Sequence, residues 1–235
     1  MKRRSLLILL TGLLAAVSAG SAMAAPPTPV TCGSIITAPG QYVLAGDCTG
    51  FGIIISASDV HLKLDGHTMT GSIIGPSGLD VGNVSHVHIE GPGTIRSYSG
   101  GIDFNTVSDS HVEQVMSVNN QLGSEIANVT NTHVNNSVFS MNRFIGLYFS
   151  NNCTDNHVDN NQTLGNGSIG IQLGAGVTSN HVNGNTALGN GLFDLEDDNP
   201  NCDNNKWNGN TFNTSNQGEL HPLGHRCSRV RSVFI

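Results

Sequence analysis

Three carboxylates, Asp80, Asp103 and Glu125, recur at intervals of 23 and 22 residues inside one short motif. The motif reads Gly78-Leu79-Asp80-Val81, Gly101-Ile102-Asp103-Phe104 and Gly123-Ser124-Glu125-Ile126, so each acid stands between inward-directed neighbours. Carboxylates held a few ångströms apart repel, and the repulsion keeps a proton on at least one of them. A protonated acid beside a second carboxylate is what glycoside chemistry uses, with Asp103 and Glu125 the expected acid and base and Asp80 the third member. The same position in later units holds Tyr148, Gln172 and then Asp194. Tyr148 offers an aromatic face to a sugar, Arg143 stands just before that strand and Gln172 supplies an amide, so these three are the expected substrate contacts. Hard oxygen ligands at such spacing also suit Ca2+, the one cofactor these carboxylates suggest.

A second series pairs histidine with valine: His86-Val87, His111-Val112, His133-Val134, His157-Val158 and His181-Val182, with Lys206-Trp207 in the next slot. With the valines inward, the imidazoles form an outward column, and His88, Glu113 and Asp159 take the next outward position on the same strands. Imidazoles on adjacent rungs could ligate zinc or copper, with His111, His133 and Glu113 as ligands. The competing reading is a pH-sensitive surface stripe that the repeat copies without needing a ligand. Asp197 and Asp198, in the acidic stretch that closes the last unit, are candidates for weak calcium binding.

The elements that carry both series are fixed by the period. The units recur every 22 to 25 residues, and eight residues beyond each of the last four valines stands an asparagine, Asn120, Asn142, Asn166 or Asn190. Such a period marks a solenoid whose units bury their apolar faces only by stacking. Within a unit the apolar residues alternate with period two, which means short strands and effectively excludes helix. Asn, Asp, Ser and Gly bound every strand and make sharp turns. The expected fold is all-β: a single right-handed parallel β-helix of about seven rungs, stacked roughly 4.8 Å apart. The asparagine series then reads as an inward amide ladder in one turn, each side chain bonded to the next.

Residues 1–24 read as a secretory signal peptide, with Lys2, Arg3 and Arg4 before an apolar run and Ala22-Met23-Ala24 as the cleavage site. The expected divisions are that signal, an N-terminal cap over 25–51, repeats over 52–216 and a C-terminal cap or tail over 217–235. The destination is the periplasm or the exterior, as a monomer, with no membrane span beyond the signal. The chain carries 10 basic and 17 acidic residues, and the signal segment holds three of the basic ones. That balance argues against nucleic acid and against a polyanionic glycan. Five cysteines in an exported chain favour disulfides. Cys32 with Cys48 would staple the first end and Cys202 with Cys227 the last, leaving Cys153 as an unpaired small residue.

Leu62-Lys63-Leu64-Asp65-Gly66-His67-Thr68-Met69-Thr70-Gly71 resembles the first-rung segment LDLNGHTISG of the secreted right-handed parallel β-helix repeat proteins, in the pectate-lyase-like superfamily. Asp197 to Trp207 resembles their closing DDNPNCDNNTW stretch, and Cys227 corresponds to the terminal cysteine that follows it. The resemblance implies the fold; such proteins include carbohydrate lyases, hydrolases and epimerases as well as members without known activity. The polygalacturonase motifs are absent, and a lyase base would have to come from Lys63, Arg96, Arg143 or Lys206. The expected function is binding of extracellular or envelope polysaccharide through the acidic and aromatic ladder. The alternatives are a carbohydrate-active enzyme using that ladder and a periplasmic metal-binding accessory protein using the histidine column.

Overall fold

The computed structural model describes residues 25–216; the segment expected to be a signal peptide, the expected C-terminal tail over 217–235 and Cys227 lie outside the described residues. The described chain is a parallel β-solenoid of about eight turns, and its one helical piece is the 3-10 segment Pro200–Asn204. Each turn runs through three walls. The first wall is an eight-stranded parallel sheet that includes Leu79–Ser85, Gly100–Ser108, Leu122–Ala127, Ile145–Ser150, Ile169–Leu173 and Phe193–Asp197. The second stacks Val60–Lys63 against the starts of Val87–Arg96 and His111–Val118, then His133–Asn135, His157–Asp159, His181–Asn183 and Lys206–Asn208. The third continues from the far halves of Val87–Arg96 and His111–Val118 through Val138–Ser140, Gln162–Leu164 and Thr186–Leu188.

The alternation of buried and exposed residues builds the core. Val112, Val134, Val158, Val182 and Trp207 stack in register inside the second wall, while Phe104, Ile126, Phe149 and Leu173 stack inside the first. Each such side chain, taken out of water, contributes about 1.5–3 kcal/mol before chain entropy is counted.

The corners carry three amide ladders rather than one. Between the third and first walls the backbone N–H of Asn120, Asn142 and Asn166 donates to the Oδ1 of the asparagine one turn on, at 2.9–3.0 Å, ending on Asn190. Between the first and second walls Thr132, Asn156, Asn180 and Asn205 repeat the arrangement at 2.9–3.0 Å. Ser137, Asn161, Asn185 and Asn210 do so between the second and third walls at 2.8–3.0 Å. Asn136, Asn160, Gly184 and Gly209, each just before an inward member of this last ladder or its start, all have positive φ, which Asn and Gly tolerate best. Two of the glycines that open first-wall motifs are held to glycine by the next turn's backbone and by the ladder together: a β-carbon on Gly123 would lie 2.3 Å from the Gly146 carbonyl oxygen and 2.6 Å from Asn142 Nδ2, and one on Gly146 would lie 2.7 Å from both the Gly170 carbonyl oxygen and Asn166 Nδ2.

The expected parallel β-helix is observed, with about eight turns, and the segment 25–51 contributes paired strands at Thr28–Val30, Ile35–Ile36, Gly40–Leu44 and Cys48–Thr49. Two expectations need correction. His86 is not in the histidine column: His111 is in register with His88, which is in register with His61. Asp194 does not continue the outward ladder; Gln172 is in register with Glu196, and Asp194 is buried. Its carboxylate closes the first asparagine ladder, with Oδ1 accepting from Asn190 Nδ2 at 2.9 Å and Oδ2 accepting from the backbone N–H of Asn213 at 2.9 Å.

Cys32 and Cys48 form the expected disulfide. Cys153 is free and buried, and burial pushes its thiol up to about 11. Cys202 is buried, whereas its expected partner, Cys227, lies outside the described residues.

Candidate functional site

Along the outside of the first wall one column of register partners runs Ile35, Ile54, Asp80, Asp103, Glu125, Tyr148, Gln172, Glu196. The parallel strand spacing puts neighbours in this column roughly 4.8 Å apart at the backbone. Above its centre lies a groove of about 570 Å3. Asp103 and Glu125 lie in it, with Ser77, Ser99, Gln121 and Ser168 as polar neighbours and Leu122, Phe144 and Ile145 as apolar ones. Gln121 donates its amide hydrogen to the Ile73 carbonyl, which ties the 72–77 connection to the groove. The lining therefore alternates hydrogen-bonding groups with apolar faces, the mixture that a sugar ring presents in return.

Burial is the main reason the Asp103 carboxyl is pushed up to about 6; the charges of Glu125 and Asp80 push the same way, and a hydrogen bond from Ser77 opposes them. Repulsion along the ladder, the cause expected from the sequence, is thus second to the loss of water. Tyr148, one turn beyond Glu125, has its hydroxyl raised by burial and then by the charges of Glu125 and Asp198.

The structure sorts the expected site residues. Asp103 and Glu125 share the groove, while Asp80, their neighbour in register, is exposed beside it. Tyr148 points outward from the next turn but is not among the lining residues; the aromatic ring in the groove is Phe144, 43% exposed and absent from the sequence-based set. Arg143 stacks on that ring, its guanidinium carbon 5.1 Å from the centroid. Gln172 donates its amide to Asp198 at 2.9 Å. Phe144 and Ser77 lie in the connections between walls, outside the strand motif, where period-two patterning carries no signal.

Asp197 is a closing residue. It is buried, accepts from Trp207 Nε1 at 3.0 Å and Asn199 Nδ2 at 2.8 Å, and burial raises its carboxyl despite those bonds. With both oxygens committed to the fold it is a poor calcium ligand. Asp198 is exposed.

On the second wall six imidazoles, His61, His88, His111, His133, His157 and His181, stack with centroids 4.4–5.5 Å apart. A parallel column beside them reads Lys63, Glu90, Glu113, Asn135, Asp159, Asn183 and Asn208. His88 Nε2 meets Glu113 Oε1 at 2.9 Å, and His111 Nε2 meets Asn135 Oδ1 at 2.9 Å.

The described residues form a parallel β-helix, and this fold is what the comparison with solved structures returns. Among solved structures the chain is similar to the crystal structure of the periplasmic alginate epimerase AlgG, with a TM-score of 0.50 and 17% identity over 66% of this chain and 39% of that one. It is similar also to a mutant of that epimerase, with a TM-score of 0.50 and 16% identity over 71% of this chain and 47% of that one. The match thus spans less than half the length of either epimerase chain, and at this identity the likeness is one of fold. No protein-family model matches the sequence, and no curated protein matches it.

Proposed function

We propose that the first-wall groove binds a polysaccharide in the periplasm or outside the cell. The observation that carries this reading is the groove's lining: Phe144, Leu122 and Ile145 present apolar faces beside Asp103, Glu125, Ser77 and Gln121. Apolar faces pack against the C–H face of a sugar while the polar groups take its hydroxyls. The similar solved structures are of an alginate epimerase, which supports a glycan on this fold. The charge here points to a different glycan: the column holds Asp80, Asp103, Glu125 and Glu196, and a polyuronate would meet like charge. A chain of uncharged or amine-bearing sugars fits. The Cys32–Cys48 disulfide agrees with an oxidising compartment, and no helix among the described residues is long and apolar enough to cross a membrane. A glycan-array screen of the mature protein tests the reading. Retention of glycans without carboxylates is the expected result, and retention of polyuronates alone, or of nothing, refutes it.

A second reading, glycoside hydrolysis, is favoured by the raised Asp103 carboxyl. Near pH 6 Asp103 keeps its proton for a leaving oxygen, and Glu125 one rung away stands at roughly the separation of a retaining pair. Asp103→Asn would then abolish release of reducing ends from a glycan that binds. Unchanged release in that variant removes the ladder as a catalytic centre.

A further inference from the structure

We propose that His133, His157 and Asp159, on the second wall, bind one divalent transition-metal ion of the zinc type. The site is separate from the groove, which lies on the first wall, and stands or falls independently of any glycan.

Six imidazoles share the column, but they are not equivalent. The Nε2 atoms of His61, His88 and His111 are each engaged by the oxygen of Glu90, Glu113 or Asn135 at 2.7–2.9 Å. His181 Nε2 lies 3.5 Å from Lys206 Nζ, a cation that competes with a metal. His133 and His157 make no side-chain hydrogen bond among the described residues, and they face one another as near-parallel rings, 4.6 Å apart and 3° from coplanar orientation. Asp159 supplies the oxygen. Asn183 Nδ2 donates to its Oδ1 at 2.9 Å, which orients the carboxylate and leaves Oδ2 toward His157 Nδ1, 3.9 Å away. That separation is long for a hydrogen bond and close to what two ligands of one ion require. The three ligand atoms lie within 4.8 Å of one another.

A tetrahedral ion with bonds of about 2.0–2.1 Å holds its ligands roughly 3.3 Å apart, so closing the site takes about 1.5 Å at most. Rotation of the two rings about their Cβ–Cγ bonds supplies this, and both must turn from the stacked arrangement to aim lone pairs at one point. The side chains have the room: His157 is 36% exposed and Asp159 29%. Two imidazoles and one carboxylate suit zinc or copper better than calcium or magnesium, which take oxygen. Three protein ligands leave the fourth position open to water or an exchangeable partner group. The other three-residue group, His61, His88 and Glu90, also falls within 4.8 Å, but Lys63 Nζ sits 3.1 Å from the Glu90 carboxylate and already neutralises it.

Calorimetric titration of ZnCl2 into the metal-free mature chain at pH 7.5 tests the proposal. One ion per chain is expected. His133→Ala and His157→Ala should each weaken binding by at least about tenfold, and Asn183→Ala, which releases the Asp159 carboxylate, by about tenfold. His61→Ala should bind as wild type does. Absence of stoichiometric binding, unchanged affinity in His133→Ala, or loss in His61→Ala instead would overturn the assignment. Should a variant unfold, the imidazole proton signals of the wild-type protein decide: zinc must shift those of His133 and His157, and shifts confined to other histidines contradict the site.

Discussion

Asp103 and Glu125 are direct register partners on adjacent turns of the first wall, and they share one groove with the ring of Phe144. The backbone ladder, not the side chains, brings these acids together. Parallel pairing places residues of equal position side by side whether or not they attract. Like charges directly opposite one another are a cost, so the protein spends stability at the spot where the groove lies.

That cost gives the first prediction. The Asp103 carboxyl is raised to about 6, so between the unfolded value near 4 and that pH the native state binds more protons than the unfolded state. Stability contributed by the protonated form is present below this window and falls as pH rises through it. Asp103→Asn should therefore melt higher than wild type at pH 7.5, by about 1 kcal/mol once partial exposure is allowed for, and equally at pH 4. Thermal melts at the two pH values check it.

The corner ladders should dominate local stability. Asn161 is buried, donates from Nδ2 to the Val134 carbonyl at 2.8 Å and accepts from the Ser137 N–H at 3.0 Å. Asn161→Ala strands both backbone groups, and we expect a loss of about 2–4 kcal/mol in urea unfolding. Asn161→Leu should be no better, since shape is not what is missing.

Asp194 should behave as a cap whose two oxygens both accept. Asp194→Asn keeps one acceptor but turns an N–H toward the donors at Asn213 and Thr214. A loss of about 1–3 kcal/mol is expected from that isosteric change, read as a lowered urea midpoint.

Period-two alternation explains what the sequence made legible and what it did not. The units, the inward valines and the Asn120 ladder follow from spacing alone, and the structure has them. The two misplacements, His86 and Asp194, have one cause. In Val87-His88-Ile89-Glu90 and in Phe193-Asp194-Leu195-Glu196 a shift of two residues keeps every apolar side chain inward, so hydrophobicity cannot distinguish the registers. Hydrogen bonding can: Asp194 fits only where a buried acceptor is needed. The other two amide ladders were visible as the residue before each column histidine from His111 onward and the third residue after each valine from Val134 onward, but Ser and Thr replace Asn in their early turns. Phe144 lies in a connection, where no period speaks for it.

Cys153 should be chemically silent in the native protein. Burial raises its thiol to about 11, and its Sγ contacts the Ile126 and Ser150 carbonyls at 3.3 and 3.2 Å. A disulfide-exchange reagent at pH 8 should leave it unmodified until denaturant is added, and a stoichiometric native reaction would contradict its burial.

The central claim is that the groove over Asp103 and Glu125 is a glycan site, and one titration tests it most directly. The strongest array glycan is titrated calorimetrically into wild type, Phe144→Ala and Gln162→Ala, the last an exposed residue of the third wall. The account predicts that Phe144→Ala loses about tenfold in affinity while Gln162→Ala binds as wild type does. Undiminished binding by Phe144→Ala, or weakening by Gln162→Ala alone, would contradict it.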